Sequence, residues 1–136
     1  MNNNLKFINP DELMKSPAFT QMVITKGCGS TIYIGGQNAV TKDQEVIGKG
    51  DIVVQTKHIL KNIEIALKAA DATIDDLFKL SIYIVHGQDV QKGFEGAQEF
   101  LKRIKTPPVI TGVIVAGLAN PQFLVEIEAI AFIKDI

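Results

Sequence analysis

Residues 51–85, DIVVQTKHILKNIEIALKAADATIDDLFKLSIYIV, contain a helical pattern followed closely by a strand pattern. From Ile52 to Ala70, apolar side chains recur at intervals of three and four residues, and Asp51 stands where a residue that caps a helix N-terminus is expected. After the turn-like DATIDD, apolar and polar residues alternate. The side chains predicted to share one strand face are Phe78, Leu80, Ile82 and Ile84.

The C-terminal third repeats this helix-then-strand arrangement. Asp89 is placed to cap a second helix that continues to about Ile104, although Gly93 and Gly96 each weaken it by about 1 kcal/mol relative to alanine. Packing must therefore hold this helix. Two strands follow, PPVITGVIVAG (107–117) and FLVEIEAIAFI (123–133), joined through LANPQ.

Two short strand-like runs precede the first helix. FTQMVITKG (19–27) and STIYIGG (30–36) are separated by turn residues, which predicts a hairpin between them. The first eighteen residues are irregular, with a short strand expected around Phe7, and residues 37–51 are predicted to form a long loop. The predicted order is β-β-α-β-α-β-β, an α/β (α+β) arrangement.

The chain length and amino-acid composition favour one soluble domain covering residues 1–136. The net charge is −1 and the cations are scattered, which does not favour nucleic acid as a partner. We find no secretory leader pattern and no membrane-spanning run, so no membrane partner is expected. The single cysteine, Cys28, cannot form an internal disulfide, and the expected location is cytoplasmic.

The strand at residues 107–117 is apolar on both of its faces. Two helices can cover one side of the sheet, but a chain of this size has no further element for the other side. An exposed apolar sheet face favours association, so we expect this chain to pack against copies of itself.

The last strand carries two carboxylates on one face, Glu126 and Glu128. A carboxylate in an apolar cleft could position or deprotonate water, and a strand glutamate at a subunit interface could equally accept structural hydrogen bonds. Both interpretations stay open for Glu126. For Glu128 the structural one is favoured.

Several motifs together resemble the RidA/YjgF (Rid) superfamily. They are FTQMV, YIGGQNAV, the Gln-Thr-x-x-x-Leu-x-Asn run that begins at Gln55, and LVEIEAIA. The resemblance implies a chorismate-mutase-like fold with a mixed sheet and two helices on one face. It also implies a homotrimer with a barrel-like core and three ligand clefts between subunits, and no cofactor.

Archetypal members of that family hydrolyse 2-imino acids to 2-oxo acids and ammonia, and bind the substrate carboxylate with an arginine in a Pro-x-Arg-Ser/Thr motif. Here the motif is Pro108-Val109-Ile110-Thr111, so Ile110 stands at the arginine position. The other positions that the resemblance assigns to the cleft also differ from the archetype. They are Phe19 for a tyrosine, Gly35 for a serine, Gly112 for a cysteine and Glu95 for an asparagine. Glu126 and Gly36 match the family pattern.

The resemblance and the missing cation together predict a trimer that binds a small metabolite and is not a standard 2-imino acid deaminase. Burying a substrate carboxylate beside Ile110 without a cation would cost several kcal/mol. The alternative is an enamine or imine deaminase, or related hydrolase, in which Glu126 acts on a non-acidic substrate. A third class, endoribonuclease, is disfavoured by the charge pattern. Neither histidine has a partner at metal-ligand spacing, so no metal site is expected.

Overall fold

A mixed four-stranded sheet forms the centre of the protein, with two helices on one face. The computed structural model describes residues 2–135. In chain order the elements are β1 (Leu5–Ile8), β2 (Met22–Thr25), β3 (Gly29–Gln37), α1 (Ile52–Ala69), a 3-10 turn (Ile74–Asp76), β4 (Leu77–Val85), α2 (Val90–Arg103), β5 (Val109–Val115) and β6 (Val125–Lys134). The predicted order is confirmed, with the short strand expected around Phe7 forming β1.

The strand order in the main sheet is β3-β6-β4-β5. β6 is antiparallel to both of its neighbours, whereas β5 runs parallel to β4, because α2 forms the crossover between them. The helix-facing side chains of β6 are Val125, Ile127, Ala129 and Ala131, and all are buried. The core therefore lies between the helices and this central strand.

Both predicted helix caps are present. The Asp51 side chain accepts hydrogen bonds from the Val53 and Val54 amides, and the Asp89 side chain accepts from the Gln91 amide at 2.9 Å. These bonds satisfy amides that no helical carbonyl can reach. Among residues 2–135, no helix combines the length and apolarity needed to span a bilayer.

One predicted strand-face assignment is wrong. Phe78 is expected to share a strand face with Leu80, but the pairing of β4 with β6 shifts between Leu77 and Lys79. This bulge rotates the start of β4 and places Leu77 in the core, where it is fully buried.

The predicted hairpin between the second and third strands is also wrong. β2 pairs with β1, with Leu5 opposite Thr25, and the main-sheet partner of β3 is β6. Thr20 explains part of this path, because its amide donates to the Pro108 carbonyl at 3.0 Å and its hydroxyl donates to the Pro107 carbonyl at 2.6 Å. The chain before β2 is thereby held at the start of β5, and β1 supplies the antiparallel partner.

The two helices approach each other at Gly96. A Cβ atom at this position would lie 2.6 Å from the Val53 carbonyl oxygen and 2.8 Å from the Thr56 Cβ. The first distance involves helix backbone, which cannot move aside without separating α1 from α2. The glycine that weakens α2 by propensity therefore allows the close helix contact.

Replacing Gly96 by Ala should destabilise the protein by about 1–3 kcal/mol, because the added methyl overpacks the helix contact. Gly93→Ala is the matched control in the same helix, since a Cβ there meets only the Ile52 side chain, at 3.3 Å. Urea unfolding monitored by circular dichroism measures both changes. If Gly96→Ala is as stable as Gly93→Ala, the helices are not held as closely as described.

Candidate functional site

An apolar groove lies between α2 and the β4–β5 part of the sheet, with a volume of about 240 Å³. Its lining side chains come from α1, α2, β4, β5, β6 and the segment before β2, and none of them is charged. The members used below are Phe19, Thr56, Leu80, Ile82, Val90, Phe94, Ile110, Gly112, Val125 and Ile127. A charged ligand would find no counter-ion in this lining.

The parallel pairing of β5 with β4 fixes which β5 residues face the groove. Ile110 stands opposite Leu80 and Gly112 opposite Ile82, so both lie on the helix-facing side of the sheet. A Cβ atom at Gly112 would have no other atom within 4 Å. Gly112 therefore leaves part of the groove open.

Phe19 lines the groove from the N-terminal segment. It is placed there by Thr20, which is almost fully buried and is hydrogen-bonded to Pro107 and Pro108 at the entrance to β5. The structure thus brings together three of the residues predicted for the site, Phe19, Ile110 and Gly112.

Glu95 does not line the groove. It is exposed on α2, whereas its neighbour Phe94 lines the groove and remains 42 % exposed. A helix turns by about 100° per residue, so the side chain of the next residue lies on a different side of the helix. Val90 and Phe94 lie four residues apart on α2, and their apolar side chains form part of the groove wall.

Glu126 lies on the opposite face of the sheet from Ile110. Directly across β4 it is paired with Tyr83, and its carboxylate lies against Gly36, where an added Cβ would be 2.5 Å from Oε2. Gly35 and Gly36 fall in the register shift between Ile34 and Gln37. This irregularity at the end of β3 leaves room for the carboxylate.

The predicted site is therefore divided within one chain. Phe19, Ile110 and Gly112 line the helix-side groove, while Gly36 and Glu126 lie on the helix-free face. Thr111 shares that second face through its pairing with Ser81, but β4 separates its strand from β6. A single copy cannot place Ile110 and Glu126 around one ligand.

The two carboxylates of β6 have different surroundings. Glu128 accepts a hydrogen bond from the Tyr83 hydroxyl at 2.7 Å, whereas among residues 2–135 no side chain or amide donates to Glu126. The hydrogen bond to Glu128 is the main reason that the pKa of Tyr83 is raised above its ordinary value of about 10, with burial adding to it. This agrees with the structural role favoured for Glu128, and leaves Glu126 free to bind something else.

Gln55 fixes the loop that leads into β6. Its side chain is fully buried, accepts from the Leu124 amide at 2.9 Å, and donates to the carbonyls of Gln122 at 2.9 Å and Gly48 at 3.1 Å. Sequence reasoning found the motif that begins at Gln55 but not this role. A glutamine on the buried side of an amphipathic helix is the signal that could have revealed it.

The family of the chain is decided by comparison with known proteins. The family model described as Endoribonuclease L-PSP, the RidA/YjgF family, matches residues 11–133. The chain belongs to the RidA/YjgF family. A RutC family protein of Pyrococcus abyssi is 34% identical over 104 residues, which cover 76% of this chain and 80% of that relative.

Solved structures of the RidA/YjgF family share the fold. The Rid family protein YyfB from Yersinia pestis has a TM-score of 0.86 and 31% identity, covering 96% of this chain and 99% of that one. The YjgF gene product of E. coli has a TM-score of 0.66 and 27% identity, covering 76% of this chain and 84% of that one. The predicted family and chorismate-mutase-like fold class are confirmed.

Removing the charge of Glu128 should lower the pKa of Tyr83. The test uses Tyr33→Phe, which leaves Tyr83 as the one tyrosine, and follows tyrosinate absorbance with and without Glu128→Gln. Folding raises this pKa, so the stabilising effect is complete below about pH 10 and is lost as the pH rises through the folded-state value.

Glu126→Gln is the matched control for that titration. Glu126 acts on Tyr83 only through its charge, as the smallest of the causes, so this change should move the tyrosinate midpoint less. Equal midpoints with and without Glu128 would contradict the hydrogen bond.

Proposed function

We propose that this RidA/YjgF protein is a homotrimer that binds a small metabolite in clefts between subunits, and that it is not a standard 2-imino acid deaminase. One observation carries the proposal: Ile110, at the position of the family's carboxylate-binding arginine, lies in a groove without a charged side chain. A 2-imino acid brings a carboxylate that this groove cannot pair.

The groove is unfavourable for a substrate carboxylate. Moving an anion from water into an apolar site without a counter-ion costs several kcal/mol, and several kcal/mol in binding lowers affinity by orders of magnitude. Within the described residues of one chain no other cation replaces the arginine, since none of the groove-lining residues is a lysine, arginine or histidine. Acidic substrates should therefore be rejected.

The assembly is supported by the helix-free face of the sheet. Tyr33 is 77 % exposed there, and Val113, opposite Tyr83, is 43 % exposed. Apolar side chains on an uncovered sheet face favour contact with another surface, and closed symmetry lets identical copies supply it. In such a trimer Glu126 of one copy would face the groove of its neighbour, and the divided site would be completed.

The alternative function is hydrolysis of a non-acidic imine or enamine. It is favoured by the surroundings of Glu126, whose carboxylate lies over Gly36 and accepts no hydrogen bond from residues 2–135. In the proposed trimer, a carboxylate with free lone pairs that faces the apolar groove of a neighbouring copy can hold a water molecule and take its proton as the water attacks carbon. In this function Glu126 would be the catalytic base.

Multi-angle light scattering at micromolar concentration should give about three times the chain mass of 14.8 kDa. Val113→Lys should shift the protein toward monomer, because it places a charge on the helix-free face, which other subunits would cover in the trimer. Ile65→Lys is the matched control at an exposed position of α1. A wild-type protein that is monomeric at this concentration would disprove the assembly.

With freshly generated 2-imino acids, the wild-type protein should not increase the rate of hydrolysis above that in buffer. If a neutral imine is hydrolysed, Glu126→Gln should abolish most of the rate, while Glu95→Gln, at an exposed position outside the groove, should retain it. Turnover of 2-imino acids would refute the main proposal. Equal turnover of the neutral imine by wild type and Glu126→Gln would refute the alternative.

A further inference from the structure

The helix-side groove has the size and lining of a site for one particular class of ligand. We propose that it binds an uncharged, mainly apolar molecule of about two fused rings. This inference rests on the proposed function, because it names the ligand of the same cleft, and it is argued from the groove of a single chain.

The lining sets the polarity of the ligand. Thr56 is the one lining residue with a polar side chain; it is 3 % exposed, and its hydroxyl has no hydrogen-bond partner within residues 2–135. Every other lining side chain is aliphatic or aromatic, or absent as in glycine. A ligand that presents hydrogen-bonding groups to these walls would leave those groups unpaired, so the buried part of the ligand must be apolar.

The volume of the groove limits the size of the ligand. An apolar cavity of about 150 Å³ holds one benzene ring, and a dry apolar cavity gains from an apolar guest. The groove of about 240 Å³ is larger by roughly the space that a second ring needs. A molecule of two fused rings therefore fills it, whereas a small amino-acid-like metabolite would leave part of it empty.

The position of the walls distinguishes a small-molecule site from a flat contact surface. The groove reaches Leu80, Val125 and Ile127, which are buried in the core, and its rim carries Val90 and Phe94, which are about half exposed. A ligand can therefore enter from the rim and reach the core side chains. The flat side of a protein partner would cover the rim and leave the depth empty.

A substitution at Gly112 can place a larger side chain in the proposed site. No other atom lies within 4 Å of a Cβ at this position, so a leucine side chain enters the groove without a backbone clash. Gly117 offers a matched position: a Cβ there also meets nothing within 4 Å, and the residue does not line the groove. Gly112→Leu fills the groove, and Gly117→Leu does not.

The test uses a neutral and an anionic probe of the same shape, 2-naphthamide and 2-naphthoate, with the 136-residue chain. Methyl NMR resonances of Ile82 and Ile110 report binding in the groove. The amide should bind the wild type, and the acid should bind more weakly by about tenfold or more, because no cation faces its carboxylate. Gly112→Leu should weaken amide binding by a similar factor, and Gly117→Leu should change it by less than about twofold.

Ile110→Arg should reverse the preference and bind the acid more tightly than the amide, since a guanidinium then pairs with the carboxylate. Circular dichroism checks that each variant is folded. The inference is overturned if the wild type binds the acid as well as the amide, if it binds neither, or if Gly112→Leu binds the amide like the wild type.

The oligomeric state separates this result from the proposed function. A monomer whose amide binding is lost in Gly112→Leu supports the groove ligand and refutes the cleft between subunits. A trimer whose Ile82 and Ile110 methyl resonances do not respond to the amide refutes the groove ligand and leaves the assembly standing.

Discussion

The pairing of β6 on both sides is the constraint on which the rest of the structure depends. Because β3 and β4 hold its backbone from either edge, the strand cannot rotate, and its alternate side chains are committed to opposite faces. The aliphatic set of β6 faces the helices and closes the core. The carboxylates are thereby presented on the helix-free face, and the candidate site residues are distributed over two sides of one sheet.

Much of the fold could be predicted from the sequence because its signals are local. Asp51 and Asp89 mark helix starts by their side-chain chemistry, and the alternation around Glu126 marks a strand with two unlike faces. The pairing of β1 with β2 was not predictable in this way. The segment before β2 is anchored through Thr20 to carbonyl groups of Pro107 and Pro108, which lie far along the chain.

The candidate site was less predictable than the fold for a related reason. The sequence resemblance identified Ile110 and Glu126 as cleft positions, but their distance depends on which face each strand presents, and the structure places them on opposite faces. Glu95 shows the same problem in a helix, where a shift of one position exchanges an exposed glutamate for Phe94 at the groove. The type of each residue can be read from the sequence, whereas the face on which its side chain lies depends on how the strands pair.

The contact of Glu126 with Gly36 links two positions that lie far apart in the chain. A side chain at position 36 would displace the Glu126 carboxylate from its present place, whereas a shorter residue at position 126 would leave room for one. In the divergence of this family, an enlargement at the first position should accompany a shorter residue at the second. Family members that retain a carboxylate at the position of Glu126 should then also retain glycine in the irregular end of the third strand.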